Sequence, residues 1–182
     1  MILLDEDALA TGVRRLGAEL SAAYDDGVVL VGLLKGSVVF LADLVRTMTV
    51  TPVIDFLALT PYAEDTGRVR ILKDLDLDVT DRDVVLVDAV IDTGLTTAYV
   101  LDELGRRGPR SLAVCALIDK HRRRVVPVDV RFTGFTLDAS YVVGYGLDHA
   151  ERYRNVRVVA AAEPAALAVD PDLLVPGLYG RG

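Results

Sequence analysis

The stretch Val84-Val-Leu-Val-Asp-Ala-Val-Ile-Asp-Thr-Gly-Leu-Thr96 decides how this chain is read. Val84 to Val87 are apolar without alternation, which suits a strand buried on both faces of a parallel sheet. Acidic, glycine and hydroxyl residues follow. An amphipathic helix is then expected over about 94–106, with Ala98, Leu101 and Leu104 as its buried stripe and Gly108-Pro109 as its stop. A strand–loop–helix unit of this kind aims backbone N–H groups and the positive end of a helix at an anion, and suits a phosphate. Taken alone, Asp92-Thr-Gly-Leu-Thr96 is also an ordinary β–α turn, in which Asp or Thr caps the helix and Gly permits the bend.

Upstream, Leu9, Val13, Leu16 and Leu20 repeat at helical spacing and predict a helix over 6–24. Val28 to Leu33 predicts a buried strand, Phe40 to Val45 a helix packed on a sheet, and Val53 to Leu59 another strand. A polar loop is expected from Pro61 to Gly67 and a return strand from Val69 to Leu72. Downstream, strands are expected at 111–118, 131–135, 141–144 and 156–160, and residues 161–182 read as an extended Ala-, Pro- and Gly-rich tail. Strands alternating with helices imply an α/β fold whose parallel sheet is covered on both faces. Ligands of such sheets bind beyond the carboxyl ends of the strands.

With 182 residues the chain fits one domain with a sizeable core. It is 52% hydrophobic and 26% charged, the balance of a soluble globular protein. A formal charge of −7 disfavours a dedicated nucleic-acid binder. Cys115 is the only cysteine, so an internal disulfide is excluded, and its apolar setting reads as an inert core thiol. No apolar run has membrane-spanning length, and the acidic start Met1-Ile-Leu-Leu-Asp-Glu-Asp is no signal peptide, so a cytoplasmic protein is expected.

The 84–96 segment resembles the phosphoribosyl-pyrophosphate motif of type I phosphoribosyltransferases. Four further blocks, in the same order, resemble the hypoxanthine/guanine branch of that family. They are Val31 to Val45 with its Leu34-Lys-Gly36, Arg70-Ile-Leu-Lys-Asp-Leu-Asp76, Leu117-Ile-Asp-Lys120, and Tyr141 to Asn155. The similarity spans roughly residues 5–160. It implies the type I fold: a mostly parallel twisted sheet flanked by helices, with a small hood built from N- and C-terminal segments. Residues 1–160 would form this domain and 161–182 a C-terminal extension. The implied reaction joins a 6-oxopurine to phosphoribosyl pyrophosphate with Mg²⁺, releasing pyrophosphate. The implied partners are these two substrates and a second copy or copies of the chain, as dimer or tetramer, with no nucleic acid and no membrane.

The resemblance also implies roles, carried over position by position. Asp92 matches the general base facing purine N7; a carboxylate of ordinary pKa, about 3.9, is ionised and can accept that proton. Thr93, Gly94, Leu95 and Thr96 match the 5′-phosphate loop, and Asp88 an acid that contacts ribose hydroxyls. Lys35 and Gly36 match a pyrophosphate loop whose peptide is often cis. Tyr62 and Arg154 match further pyrophosphate contacts. Lys120 matches the donor to the 6-oxo group; without the family, Lys120-His-Arg-Arg-Arg124 reads as a solvated basic turn. Tyr141 matches an aromatic that stacks on the base, Val142 a backbone contact to its edge, and Asp148 a carboxylate near its 2-position and Mg²⁺-bound water. Asp88 and Asp148 are the expected metal carboxylates. His121 and His149 are expected to be surface residues.

Two departures stand out. The family carries a second acid where this chain has Ala89, so a charge-assisted bond to a ribose hydroxyl is expected to be missing, worth about 1.5–3 kcal/mol. The lid, Thr60-Pro-Tyr-Ala-Glu-Asp-Thr-Gly67, is short, and Pro61 lacks an N–H. These changes leave open a non-catalytic nucleotide sensor, or a transferase for a specialised purine analogue, as alternatives.

Overall fold

The computed structural model describes residues 1–60, 69–139 and 141–179. Its main sheet has six strands in the order β4-β3-β2-β5-β6-β7. They are β2 (Val29–Leu34), β3 (Val53–Leu59), β4 (Ile71–Lys73), β5 (Asp83–Ile91), β6 (Ser111–Asp119) and β7 (Phe132–Thr136). All neighbours run parallel except β4, which returns antiparallel to β3.

Helices α1 (Glu6–Ala23) and α2 (Val38–Thr47) cover one face and α3 (Leu95–Gly105) the other. This explains the unbroken apolar run in β5. Val85, Val87 and Ala89 enter the cluster under α1 and α2, while Val84 and Leu86 enter the cluster under α3. Cys115 is fully buried in the same layer, and burial pushes its thiol up, as expected of an inert core residue.

Helix α1 starts where Asp5 accepts a hydrogen bond from the Ala8 amide at 2.8 Å, with Glu6 and Asp7 in the first turn to favour the helix dipole. It buries Leu9, Val13, Leu16 and Leu20 as its spacing predicts. Gly12 lets it approach β7 closely: a Cβ there would stand 2.4 Å from the Phe135 ring.

A second, antiparallel sheet stands over the carboxyl ends of the main strands. It joins β1 (Ile2–Leu4), β9 (Val159–Ala161) and β8 (Val142–Val143), so both ends of the chain build it. Among the described residues no helix is long and apolar enough to cross a membrane.

Four expectations need correction. Strand β5 does not stop near residue 88 but runs to Ile91, because Asp88, Val90 and Ile91 pair with Ala116, Ile118 and Asp119 of β6. The last strand begins at Val159, not at residue 156. The buried stripe of α3 is Thr97, Val100 and Leu104, one residue off the Ala98–Leu101 reading. Residues beyond 161 are not an extended tail. They include α4 (Pro164–Val169) and α5 (Val175–Tyr179), whose Leu167 and Leu178, with Leu174 just before α5, pack with Tyr153 and Val143.

Candidate active site

Between β5 and α3 only Asp92, Thr93 and Gly94 lie outside regular structure. They border a cavity of about 190 Å³ that Asp88, Thr96 and Thr97 also line. Gly94 has φ 84° and caps α3. A Cβ there would stand 2.5 Å from the Val126 carbonyl oxygen, so both the turn and the close approach require glycine. The first amides of α3 have no intrahelical acceptor by position, and Thr96 and Thr97 of that first turn line the cavity. Thr97, 2% exposed, is a cavity wall that the sequence reading missed; the second Thr of Thr96-Thr97 was its only signal.

Asp88 and Ala89 lie on opposite faces of β5. Asp88 lines the cavity beside the 92–94 turn, and burial pushes its pKa up to about 7 against the pull of the Val90 and Ala89 amides. Ala89 is fully buried and points to the other side, towards Gly36 and Leu147. The missing second acid therefore belongs to the Lys35–Gly36 side of the site rather than to the cavity beside Asp88.

The 120–126 segment clamps the loop. Lys120, 3% exposed, donates its amide to Ile91 O at 3.0 Å, and its Nζ stands 3.6 Å from Asp92 Oδ2. Burial lowers the pKa of its ammonium; Asp92 opposes this and Arg123 adds to it. Arg123 Nε donates to Asp92 Oδ1 at 2.8 Å. Arg124 donates to the Asp92 carbonyl at 3.1 Å and pairs with Asp119, both largely buried. The Val125 and Val126 amides both donate to Thr93 O, at 2.8 and 3.0 Å. The solvated-basic-turn reading is thus wrong for Lys120 and Arg124, which are largely buried. His121, Arg122 and Arg123 are exposed, with Arg122 paired with Asp138 and Arg123 with Asp92.

A second group gathers where the β2–α2 turn meets the 144–154 segment. The Leu34–Lys35 peptide is cis. A Cβ on Gly146 would stand 2.3 Å from the Gly36 carbonyl oxygen, so the turns touch. Arg154 donates to Gly146 O at 2.8 Å and pairs with Asp148 at 2.8 Å. Glu151, which the sequence reading did not single out, pairs with Lys35 at 3.0 Å and with Arg154 at 3.4 Å.

Tyr141 donates to Asp148 O at 3.2 Å and meets His149 edge-on, with ring centroids 5.8 Å apart. His149 is therefore a half-buried partner of the aromatic rather than a plain surface residue. Val142 is buried in β8 next to it. Tyr62 and the shortened lid lie outside the described residues.

The model of the phosphoribosyl transferase domain matches residues 2–150. The chain belongs to the phosphoribosyl transferase family. Within it, the chain is 42% identical over 164 residues to the hypoxanthine phosphoribosyltransferase of Salmonella typhimurium, covering 87% of this chain and 92% of that protein. It is 38% identical to the hypoxanthine-guanine phosphoribosyltransferase of Bacillus subtilis, covering 90% and 93%. In fold it is similar to a Bacillus anthracis hypoxanthine-guanine phosphoribosyltransferase crystallised with HEPES in its active site. The TM-score is 0.86 at 35% identity, covering 90% of this chain and 98% of that one. It also resembles a Trypanosoma cruzi hypoxanthine phosphoribosyl transferase studied for the role of its C-terminal region in oligomeric state and activity. There the TM-score is 0.87 at 29% identity, covering 94% and 95%. As a phosphoribosyl transferase the chain has the α/β type I architecture expected from its sequence, a mostly parallel sheet flanked by helices.

Proposed function

We propose that this phosphoribosyl transferase moves the 5-phosphoribosyl group of phosphoribosyl pyrophosphate to a 6-oxopurine of the hypoxanthine/guanine type. The products are a nucleoside 5′-monophosphate and pyrophosphate. The observation that carries this reading is the approach of Lys120 Nζ to Asp92 Oδ2, 3.6 Å, at the rim of the phosphate cavity. A 6-oxopurine presents N7 and its 6-oxo oxygen side by side on one edge. A carboxylate beside an ammonium is the complement of a protonated N7 beside that oxygen.

In this scheme the cavity formed by Thr93, Gly94, Leu95, Thr96 and Thr97 holds the 5′-phosphate. Asp88 accepts from the ribose. Lys35, Gly36, Tyr62 and Arg154 hold the pyrophosphate. Tyr141 and Val142 cover the base, and Asp148 receives its far side. The C1′–oxygen bond breaks with its electron pair leaving on pyrophosphate, N9 supplies the pair for the new C1′–N9 bond, and Asp92 takes the N7 proton. Such sugar-carbon chemistry passes through an oxocarbenium-like state, so holding base and sugar in register supplies much of the rate. Loss of the acid at 89 leaves Asp88 as the motif's remaining carboxylate for the sugar hydroxyls.

Mg²⁺ keeps most of its waters and takes few protein carboxylates. Asp88 offers a carboxylate beside the Val90 and Ala89 amides, and Asp148 a carboxylate already shared with Arg154. When bound, the ion would neutralise charge on the leaving pyrophosphate. Assembly as a homodimer or homotetramer is part of the proposal, and sedimentation velocity tests it.

Asp92→Asn tests the central claim. Turnover with labelled phosphoribosyl pyrophosphate and a panel of purines is expected to fall roughly 10²–10⁴-fold while phosphoribosyl pyrophosphate still binds. Unchanged turnover removes Asp92 from the mechanism. A protein that binds the sugar phosphate but turns over no purine instead supports the sensor reading.

A further inference from the structure

Glu151 lies one residue past the matched family domain, and its carboxylate joins the two cations proposed above for pyrophosphate. Oε1 meets Lys35 Nζ at 3.0 Å and Oε2 meets the Arg154 guanidinium at 3.4 Å. Lys35 comes from the β2–α2 turn and Arg154 from the far end of the chain, so Glu151 bridges the same two segments a diphosphate would bridge. One carboxylate oxygen sits on each cation, as two oxygens of a phosphate chain would.

The backbone sets Glu151 in this position. Ala150 and Glu151 have φ 49° and 62°, left-handed values that non-glycine residues seldom adopt. The Glu151 amide donates to Asp148 Oδ2 at 3.0 Å, which anchors the turn on the neighbouring carboxylate. The side chain is exposed, so its removal leaves no cavity.

We propose that Glu151 is an internal anion that holds Lys35 and Arg154 until the leaving group's diphosphate displaces it, and that it thereby weakens pyrophosphate binding. This rests on the reading of Lys35 and Arg154 as pyrophosphate ligands. A binding diphosphate must take both cations from Glu151 or share them at close range with a like charge. Either way the carboxylate opposes retention of pyrophosphate and favours its release. Such an effect between exposed charges is modest and weakens with salt.

The test is titration calorimetry of inorganic pyrophosphate into the native protein and its variants, with steady-state kinetics alongside. Glu151→Gln is expected to tighten pyrophosphate about three- to tenfold and to lower KM for phosphoribosyl pyrophosphate, with KM for the purine unchanged. The gain is expected to shrink as salt rises from about 0.05 to 0.5 M. Unchanged or weaker pyrophosphate binding in Glu151→Gln overturns the inference, as does an equal change in KM for the purine. Arg154→Gln and Lys35→Gln separate the two failures. If they weaken pyrophosphate and Glu151→Gln has no effect, the ligand reading stands and only Glu151 is misassigned. If neither affects pyrophosphate, the ligand reading itself is wrong.

Discussion

Arg124 donates to the main-chain carbonyl of Asp92 at 3.1 Å while its other terminal nitrogen pairs with Asp119. One guanidinium thus ties the end of β6, which carries Lys120, to the loop that carries the proposed base. Lys120 and Asp92 can act on neighbouring atoms of one purine edge only if their two strands keep this offset.

Arg124→Met is therefore expected to be costly. Its pair with Asp119 is 12% and 14% exposed, and removing one partner of a buried pair costs about 3–5 kcal/mol. Urea denaturation checks the stability, and kcat is expected to fall with it. Arg124→Lys restores the charge but not the two-ended grip, so recovery is expected to be partial. Full activity in Arg124→Lys rejects the geometric role.

Arg123→Gln addresses the side chain of the same aspartate. The 2.8 Å contact is half-exposed, so the pair contributes less than about 1 kcal/mol to stability. The unfolding midpoint is expected to stay put. The purine has to share Asp92 with Arg123, so KM for the base is expected to drop up to about fivefold. A rise in KM shows instead that Arg123 helps to hold the purine.

Asp55 carries a pH-dependent part of the stability. Burial pushes its carboxyl upward, yet the Phe56, Leu77 and Asp76 amides and the Lys73 ammonium outweigh that and hold it below the usual range. A depressed folded pKa stabilises fully above the ordinary value of about 3.9, and that stability is lost as pH falls through the folded value. Asp55→Ala is expected to cost about 2–4 kcal/mol at pH 7, since it orphans amides at the start of the 76–79 segment. The cost is expected to shrink as the pH falls below the ordinary carboxylate value and through the lower folded one. A difference that stays constant with pH removes the electrostatic account.

The C-terminal helices brace the segment bearing Arg154. Tyr153, 1% exposed, donates to Pro171 O. Arg152 pairs with Asp172 at 2.7 Å, and Tyr179 donates to Asn155 Oδ1 at 2.6 Å. Tyr153→Phe is expected to cost about 1–2 kcal/mol. Ending the chain after Ala162 is expected to raise KM for phosphoribosyl pyrophosphate more than KM for the purine. Equal changes in both constants reduce these helices to general stabilisers.

Much of this was legible in the amino-acid order. The α1 stripe, the bounds of β3 and the glycine after β5 follow from periodicity and from the conformations each residue tolerates. Errors fell where a residue's partner is remote in sequence. Val90 and Ile91 follow the acid of the expected strand and read as loop, yet Ile118 and Asp119 pair with them across the sheet and keep them in the strand. Thr97 falls outside the expected stripe because it is polar by type, yet it is buried on α3, so the stripe was misplaced by one residue. Helices α4 and α5 are too short for a clear period and persist because Tyr153 and Val143 give them something to pack on.

The sequence by itself determined the α/β class and the glycine-bearing turn after β5, because these rest on local patterns of apolar spacing and glycine placement; the family followed from the resemblance of five ordered blocks, which the family match bears out. Tertiary structure alone decided which arginine serves which acid, which way residues 88 and 89 face, and that Glu151 lies between Lys35 and Arg154. The physical reason is that a charge chooses its partner by distance through space, and segments 116 residues apart become neighbours only after the sheet has formed.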